Sequence, residues 1–217
     1  MSELLIKAAL AYLLGSIVGS LLIRRLTGGA DIRSLGSGNA GATNALRTLG
    51  MKVAVWVLII DLGKGWIATA RLAPWALPGI PAAPPELAAW CLPVCGIGVM
   101  LGHVYPLWYG LRGGKGMATL VGAVLGISPW LLLPMILTWL VAVILFGYVS
   151  VGSILGAVAV VVWIARHSPT PPLLTFAILA ALLIVFTHRS NIARLLAGTE
   201  SRAGRLWLFG TRRGTTG

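Results

Sequence analysis

Leu131-Leu132-Leu133-Pro134-Met135-Ile136-Leu137-Thr138-Trp139-Leu140-Val141-Ala142-Val143-Ile144-Leu145-Phe146-Gly147 contains no charged residue. Leu, Val, Ile and Ala dominate it, and it lacks the apolar–polar alternation of a barrel strand. It reads as a helix in a bilayer. Six companion stretches lie at about 4–23, 53–73, 89–102, 117–130, 151–165 and 172–187. Several are shorter than the roughly 20 residues a perpendicular span needs. These either extend into neighbouring polar residues or do not cross fully. The expectation is an all-α integral membrane protein of about seven transmembrane helices, with residues 1–217 forming a single transmembrane domain. A five-span arrangement with the short segments re-entrant is the alternative.

Composition agrees. The 217 residues are 58% hydrophobic and only 10% charged, whereas a soluble domain carries about a quarter charged residues. Mean hydropathy is +0.92. Gly, at 28 residues, is enriched as in membrane helices that pack closely. The net charge of +12 needs no nucleic acid to explain it, because positively charged loops on one membrane face suffice. Arg24, Arg25, Arg33, Arg47 and Lys52 lie between the first two stretches, and Arg112 and Lys115 between the third and fourth. Arg189, Arg194, Arg202, Arg205, Arg212 and Arg213 follow the seventh. Seven spans put all of these on one face and leave Lys7, Arg71 and Arg166 on the other. The N-terminus is therefore expected outside, the C-terminus in the cytoplasm, and residues 201–217 form a basic cytoplasmic tail. The first stretch reads as a retained span rather than a signal peptide. Cys91 and Cys95 lack metal or redox spacing and read as buried thiols.

Three polar clusters fall on the basic face. The first is Gly36-Ser37-Gly38-Asn39-Ala40-Gly41-Ala42-Thr43-Asn44-Ala45-Leu46-Arg47-Thr48-Leu49-Gly50. Small residues permit close approach, hydroxyls and amides offer hydrogen bonds, and one arginine supplies fixed charge, as a small-oxyanion site requires. A helix starting near Asn39 would align Asn39, Thr43 and Arg47, with Ser37 capping its start. The second cluster holds Gly102-His103 and Gly113-Gly114-Lys115-Gly116. Glycine amides, a helix start and an ammonium suit an anion, but the Walker A spacing is absent because Tyr109 and Gly116 stand where that motif needs Gly and Ser/Thr. The third is His188-Arg189-Ser190-Asn191-Ile192-Ala193-Arg194, leading to Gly198-Thr199-Glu200; His188 and Asn191 share a helix face. Asp61 and Lys64, spaced i, i+3 inside an apolar stretch, and Glu200 among arginines read as supporting charges. Ser150, on a short turn of the same face, is within reach of one cavity.

Together these runs resemble the bacterial acyl-phosphate:glycerol-3-phosphate acyltransferase family (PlsY), from the first stretch through Glu200. The resemblance implies a seven-helix inner-membrane enzyme making lysophosphatidic acid. It implies that Ser37, Arg47, Lys115, Ser150, His188 and Asn191 surround glycerol phosphate, with Asn39, Thr43 and Asn44 beside them. Gly113, Gly114, Lys115 and Gly116 would hold the acyl phosphate. His188, Asn191 and Ser37 are the expected catalytic residues, and Asp61, Lys64, His103 and Glu200 the structural supports.

The chemistry is consistent with this. Two phosphate-bearing substrates need two anion sites, and an acyl phosphate is already activated, so proximity and charge stabilisation suffice. None of His103, His167 and His188 has an aspartate five residues on, which disfavours a His-x4-Asp acyltransferase. Neither cofactor nor metal is expected, since the histidines are dispersed and lack acidic companions at ligand spacing. The expected partners are the two small substrates and membrane lipid, without nucleic acid or an obligate protein. The competing reading is a transporter or flippase for a phosphorylated small molecule. It needs polar groups on both sides, and neither the bare outer loops nor the absence of an internal repeat favours it.

Overall fold

The structure is a computed structural model and describes residues 1–203 and Leu208. Arg205, Arg212 and Arg213 of the expected basic tail lie outside the described residues. Every described element is helical. The first apolar stretch forms α1 (Ser2–Gly15) and passes through a break to α2 (Gly19–Thr27), bent by 52°. A loop leads to the short α3 (Ala42–Thr48) and on to α4 (Met51–Ile67), which a π-helical turn extends through Leu72. One turn, α5 (Pro85–Ala88), precedes α6 (Cys91–Val104), and the glycine-rich segment leads into α7 (Met117–Ile127). The hairpin of α8 (Leu132–Phe146) and α9 (Val149–His167) follows, then α10 (Pro171–Thr187) and α11 (Arg189–Leu196), bent by 54°. Each apolar stretch identified in the sequence carries a helix. Among the described residues, four spans are long and apolar enough to cross a membrane, or six if each bent pair counts as one. The remaining stretch, α7, has only 11 residues.

Contacts pair α1 with α6, α4 with α7, and α8 with α9, while α10 packs on α6 and α9. Met100, Leu120, Met135, Phe176 and Ile184 are fully buried between these layers, whereas Trp130, Leu137 and Leu182 face outward. Such an apolar exterior suits lipid rather than water.

Small residues set the closest approach. A Cβ on Gly65 would strike the Thr119 carbonyl, one on Gly122 the Leu62 carbonyl, and one on Gly126 the Thr69 hydroxyl. From the Leu62–Gly122 contact to the Thr69–Gly126 contact both helices advance, so the two run parallel. The same register shows that α7 begins about two turns deeper than α4, roughly 12 Å at 1.5 Å per residue. The 11-residue helix is short because the space before it is a cavity.

The break between α1 and α2 exposes helix-end groups that lipid cannot satisfy. Two side chains of α4 meet them. Lys64 Nζ donates to the carbonyls of Gly15 (2.9 Å) and Ile17 (2.7 Å), and Asp61 Oδ1 accepts from the amide of Gly19 (3.1 Å). Lys64 and Asp61 themselves stand 3.0 Å apart, and His103 Nδ1 from α6 lies 2.9 Å from Lys64 Nζ. At the other end of the bundle Lys7 pairs with Glu3 (2.8 Å) and donates to Ala73 O (2.6 Å). Lys7, counted from sequence on the non-basic face, is buried and serves as a helix-end cap.

Candidate active site

A cavity of about 330 Å³ opens where α7 starts late. Residues from all three sequence clusters line it: Ser37, Asn39, Thr43, Asn44 and Arg47 from the first, Lys115 and Gly116 from the second, His188 and Asn191 from the third. Ser150, at the start of α9, and Glu200 complete the polar wall. Segments far apart in sequence thus converge on one chamber.

The first cluster departs locally from its expected shape. Its helix begins at Ala42, and the N-cap is Gly41 without a side-chain cap. Ser37 therefore caps nothing; it is exposed, and its amide donates to Asn44 Oδ1 at 3.0 Å. Asn39 precedes the helix, so only Thr43 and Arg47 share its face at i, i+4. Asn44, expected among substrate contacts, is 1% exposed, and its amide nitrogen donates to the carbonyls of Ile32, Leu35 and Asn39. These bonds make Asn44 a brace for the loop in the cavity wall that it lines. Ser20 Oγ adds a hydrogen bond to Ala40 O (2.7 Å). Among the described residues Arg47 has no hydrogen-bond or ion-pair partner, which leaves its guanidinium for a ligand.

The glycine segment also divides. The amides of Gly113 and Gly114 donate to the carbonyls of Val104 (3.0 Å) and His103 (3.1 Å), and neither residue lines the cavity. A Cβ on Gly113 would meet the His103 carbonyl, and one on Gly114 the His103 ring. These glycines dock the loop on α6. Lys115 and Gly116 reach the chamber, followed by Met117 and Ala118 at the amino-terminal, electropositive end of α7.

Lys115 Nζ donates to Asn191 Oδ1, and Asn191 Nδ2 donates to Glu200 Oε1 at 2.6 Å. Ser150 Oγ donates to the same oxygen at 2.9 Å, and Arg194 Nε to Glu200 Oε2 at 2.7 Å. Burial works against the Glu200 carboxylate, yet these donors hold its pKa below the ordinary value. Burial, then the Arg194 and Arg47 charges, push Lys115 down to about 8, with Glu200 opposing. His188 is buried, and its Nδ1 stands 2.8 Å from the Ile184 carbonyl. A carbonyl can only accept, so Nδ1 carries the proton and Nε2 presents a lone pair.

Two contributors carried no expected site role, although Arg194 closes the third cluster. Arg194 lines the chamber and anchors Glu200; its i, i+3 spacing from Asn191 was the available signal. Arg33 is held by Asp31 (2.8 Å), whose pKa the Arg33 hydrogen bond brings down to about 2. Its Nη1 then reaches the carbonyls of Tyr109 (2.8 Å) and Arg112 (3.1 Å), tying the first loop to the second. At the inner end of the cavity Met135, Ile136, Trp139, Leu58 and Val121 supply an apolar surface, and Asp61 and His103 a polar one.

A sequence profile described as "Glycerol-3-phosphate acyltransferase" matches residues 5–198. The glycerol-3-phosphate acyltransferase of Desulforamulus reducens is 43% identical over 196 residues, covering 89% of this chain and 92% of the relative. That of Bordetella pertussis is 41% identical over 202 residues, covering 90% of each. Among solved structures, PlsY (YgiH), an integral membrane glycerol 3-phosphate acyltransferase in its glycerol 3-phosphate form, superposes with a TM-score of 0.78. It is 36% identical, over 92% of this chain and 94% of that one. Its lysophosphatidic acid form gives 0.77 at 37% identity. A profile match across nearly the whole chain and relatives above 40% identity lead to one conclusion: this multi-pass, all-helical membrane protein belongs to the glycerol-3-phosphate acyltransferase family.

Proposed function

We propose that the cavity transfers a fatty acyl group from acyl phosphate to the 1-hydroxyl of sn-glycerol 3-phosphate, releasing lysophosphatidic acid and inorganic phosphate. The observation that carries this reading is the meeting in one chamber of two cations, Arg47 and Lys115, with a His188 imidazole that presents a free lone pair. Two phosphates need that charge, and an activated anhydride needs little beyond it. The ligand forms of the PlsY structures, glycerol 3-phosphate and lysophosphatidic acid, match the acceptor and product of this reaction.

Arg47, Lys115, Ser37, Ser150 and Asn191 hold the acceptor, with Thr43 and Asn39 at its edge. Lys115, Gly116 and the α7 terminus receive the donor phosphate, and the acyl chain runs along Met135, Ile136 and Trp139. The acceptor hydroxyl attacks the acyl carbonyl directly: the new ester C–O bond forms, the carbonyl carbon–phosphate oxygen bond breaks, and phosphate departs. His188 Nε2 orients the hydroxyl and takes its proton. Seven spans, counting each bent pair and α7 as one crossing, put the amino terminus outside and the chamber on the cytoplasmic face of a bacterial inner membrane. The one-sided arginines support this.

The test is purified protein offered acyl phosphate, acyl-CoA and acyl-carrier protein as separate donors. Phosphate release and lysophosphatidic acid with the first alone are expected; activity with acyl-CoA alone overturns the reading. For the proton, His188→Gln that turned over with an unchanged rate and a flat pH profile would remove His188 as base. A trapped acyl-serine at Ser37 would overturn direct attack.

A further inference from the structure

Thr187, the last residue of α10, is buried and joins two groups of the chamber without lining it. His188 follows it in the chain, and its Oγ1 lies 2.9 Å from the backbone carbonyl of Lys115, 72 positions away. The same oxygen lies 3.0 Å from the carbonyl of Ile184, one turn back in its own helix. A hydroxyl has one proton to give, so the two carbonyls compete for it. A helical threonine ordinarily returns that proton to its own helix. Here that acceptor is taken. The Ile184 carbonyl already receives the His188 backbone amide at 3.0 Å and the His188 Nδ1 proton at 2.8 Å, which occupies both of its lone pairs. The Lys115 carbonyl has no other donor among the described residues. The threonine proton therefore goes to Lys115.

This contact completes the fixing of the glycine segment. Gly113 and Gly114 dock on α6 through their amides, and Gly116 turns into α7 at a φ of +86°, in the left-handed region. Lys115 stands between these anchors, and α10 alone holds its carbonyl. We infer that Thr187 is a positioning residue: by donating to the Lys115 carbonyl, its hydroxyl sets that lysine in register with the adjoining His188, so that cation and base meet one acceptor. This rests on the roles given to Lys115 and His188 under Proposed function. The Ile184 carbonyl that keeps the imidazole proton on Nδ1 also directs the threonine proton to the lysine segment, and a single turn of α10 aligns both groups.

The test compares Thr187→Val, which keeps the branched shape and removes the proton, with Thr187→Ser, which restores it. In Thr187→Val kcat/KM for glycerol 3-phosphate is expected to fall about tenfold, the worth of one hydrogen bond. Thr187→Ser is expected to stay within about threefold of wild type, since the donor is retained. Wild-type kcat/KM in Thr187→Val, or an equal loss in Thr187→Ser, overturns the proposal. Absence of any acylation of glycerol 3-phosphate by the wild type would instead overturn the functional reading itself.

A second measurement needs no turnover. Lys7, Lys52, Lys64 and Lys115 are the only lysines in the chain, so competitive labelling with acetic anhydride across pH, read by peptide mass spectrometry, titrates each amine separately. The charged and titratable groups around Lys115 are Arg47 of α3, Arg194 of α11, Glu200 beyond it, and His188. Burial first, then the two arginines, bring Lys115 down to about 8. Released from its anchor, the lysine moves toward water. Its inflection is then expected to rise toward the ordinary lysine value in Thr187→Val and to stay near about 8 in Thr187→Ser. An inflection unmoved in Thr187→Val overturns the assignment, whatever happens to activity. Should Thr187→Val fail to fold, Thr187→Ala carries the same expectations.

Discussion

Lys64 is buried between helices and Lys115 lines the cavity, and the two lysines are used in opposite ways. Lys64 is 3% exposed and surrounded by two carbonyls, a carboxylate and an imidazole. Its three hydrogens are fully committed to protein. Lys115 makes one side-chain hydrogen bond, to Asn191, and otherwise faces open space. Arg47, which faces it across the chamber, makes none among the described residues. The contrast separates cations that hold a broken helix together from cations kept available for a ligand. Residue type and hydropathy cannot distinguish them; the count of remaining donors can.

The comparison breaks first if the two lysines prove interchangeable in effect. Lys115→Ala is expected to lower kcat/KM about 10³-fold, the scale of losing a preorganised charge donor, with the unfolding midpoint in detergent unchanged. A parallel loss of stability would mean that Lys115 is structural after all. Lys64→Met should do the reverse. Removing one member of a buried pair leaves Asp61 uncompensated and costs about 3–5 kcal/mol of stability, read by thermal unfolding. Activity per folded molecule at saturating substrate should fall far less than in Lys115→Ala. An unaltered midpoint would sink the structural assignment.

A smaller effect sharpens the contrast at the loop between them. Gly114→Ala forces a methyl against the His103 ring. Turnover is expected to drop about tenfold, on the order of the 1–3 kcal/mol that overpacking costs, with a raised acceptor KM because Lys115 is displaced. A normal KM would show that the His103 contact does not position Lys115. The smallest effect is in pH. Lys115, lowered to about 8, is charged below that pH and neutral above it, while a phosphate monoester is dianionic above about 6. Acceptor KM should therefore be lowest near pH 7 to 8 and climb by up to about tenfold per unit above 8. Lys115→Arg, which cannot lose its charge in that range, should flatten the rise.

Much of this was legible beforehand, for physical reasons. A bilayer admits few backbone solutions, so long apolar runs become helices, and polar residues in so apolar a chain stand out as the three clusters. What stayed hidden depends on partners distant in sequence. The break after Gly15 is held by Lys64 and Asp61, some 45 positions later, so nothing local announced it. The bracing bonds of Asn44 to the carbonyls of Ile32, Leu35 and Asn39 had no local signal beyond its type and neighbours. Gly113 and Gly114 advertised open amides, yet the carbonyls of His103 and Val104 use them. Arg33 read as a generic basic residue of the cytoplasmic face until its reach to Tyr109 and Arg112 became visible.

The late start of α7 has a kinetic consequence. On the proposed reading, a reaction centre recessed by two helical turns is met by its substrates from different directions, the soluble acceptor from bulk water and the lipid donor from within the bilayer plane. Their encounter rates are therefore measured on different scales, molarity for one and mole fraction in the membrane for the other. Diluting the protein with inert lipid at constant bulk composition would starve it of donor while leaving the acceptor supply untouched.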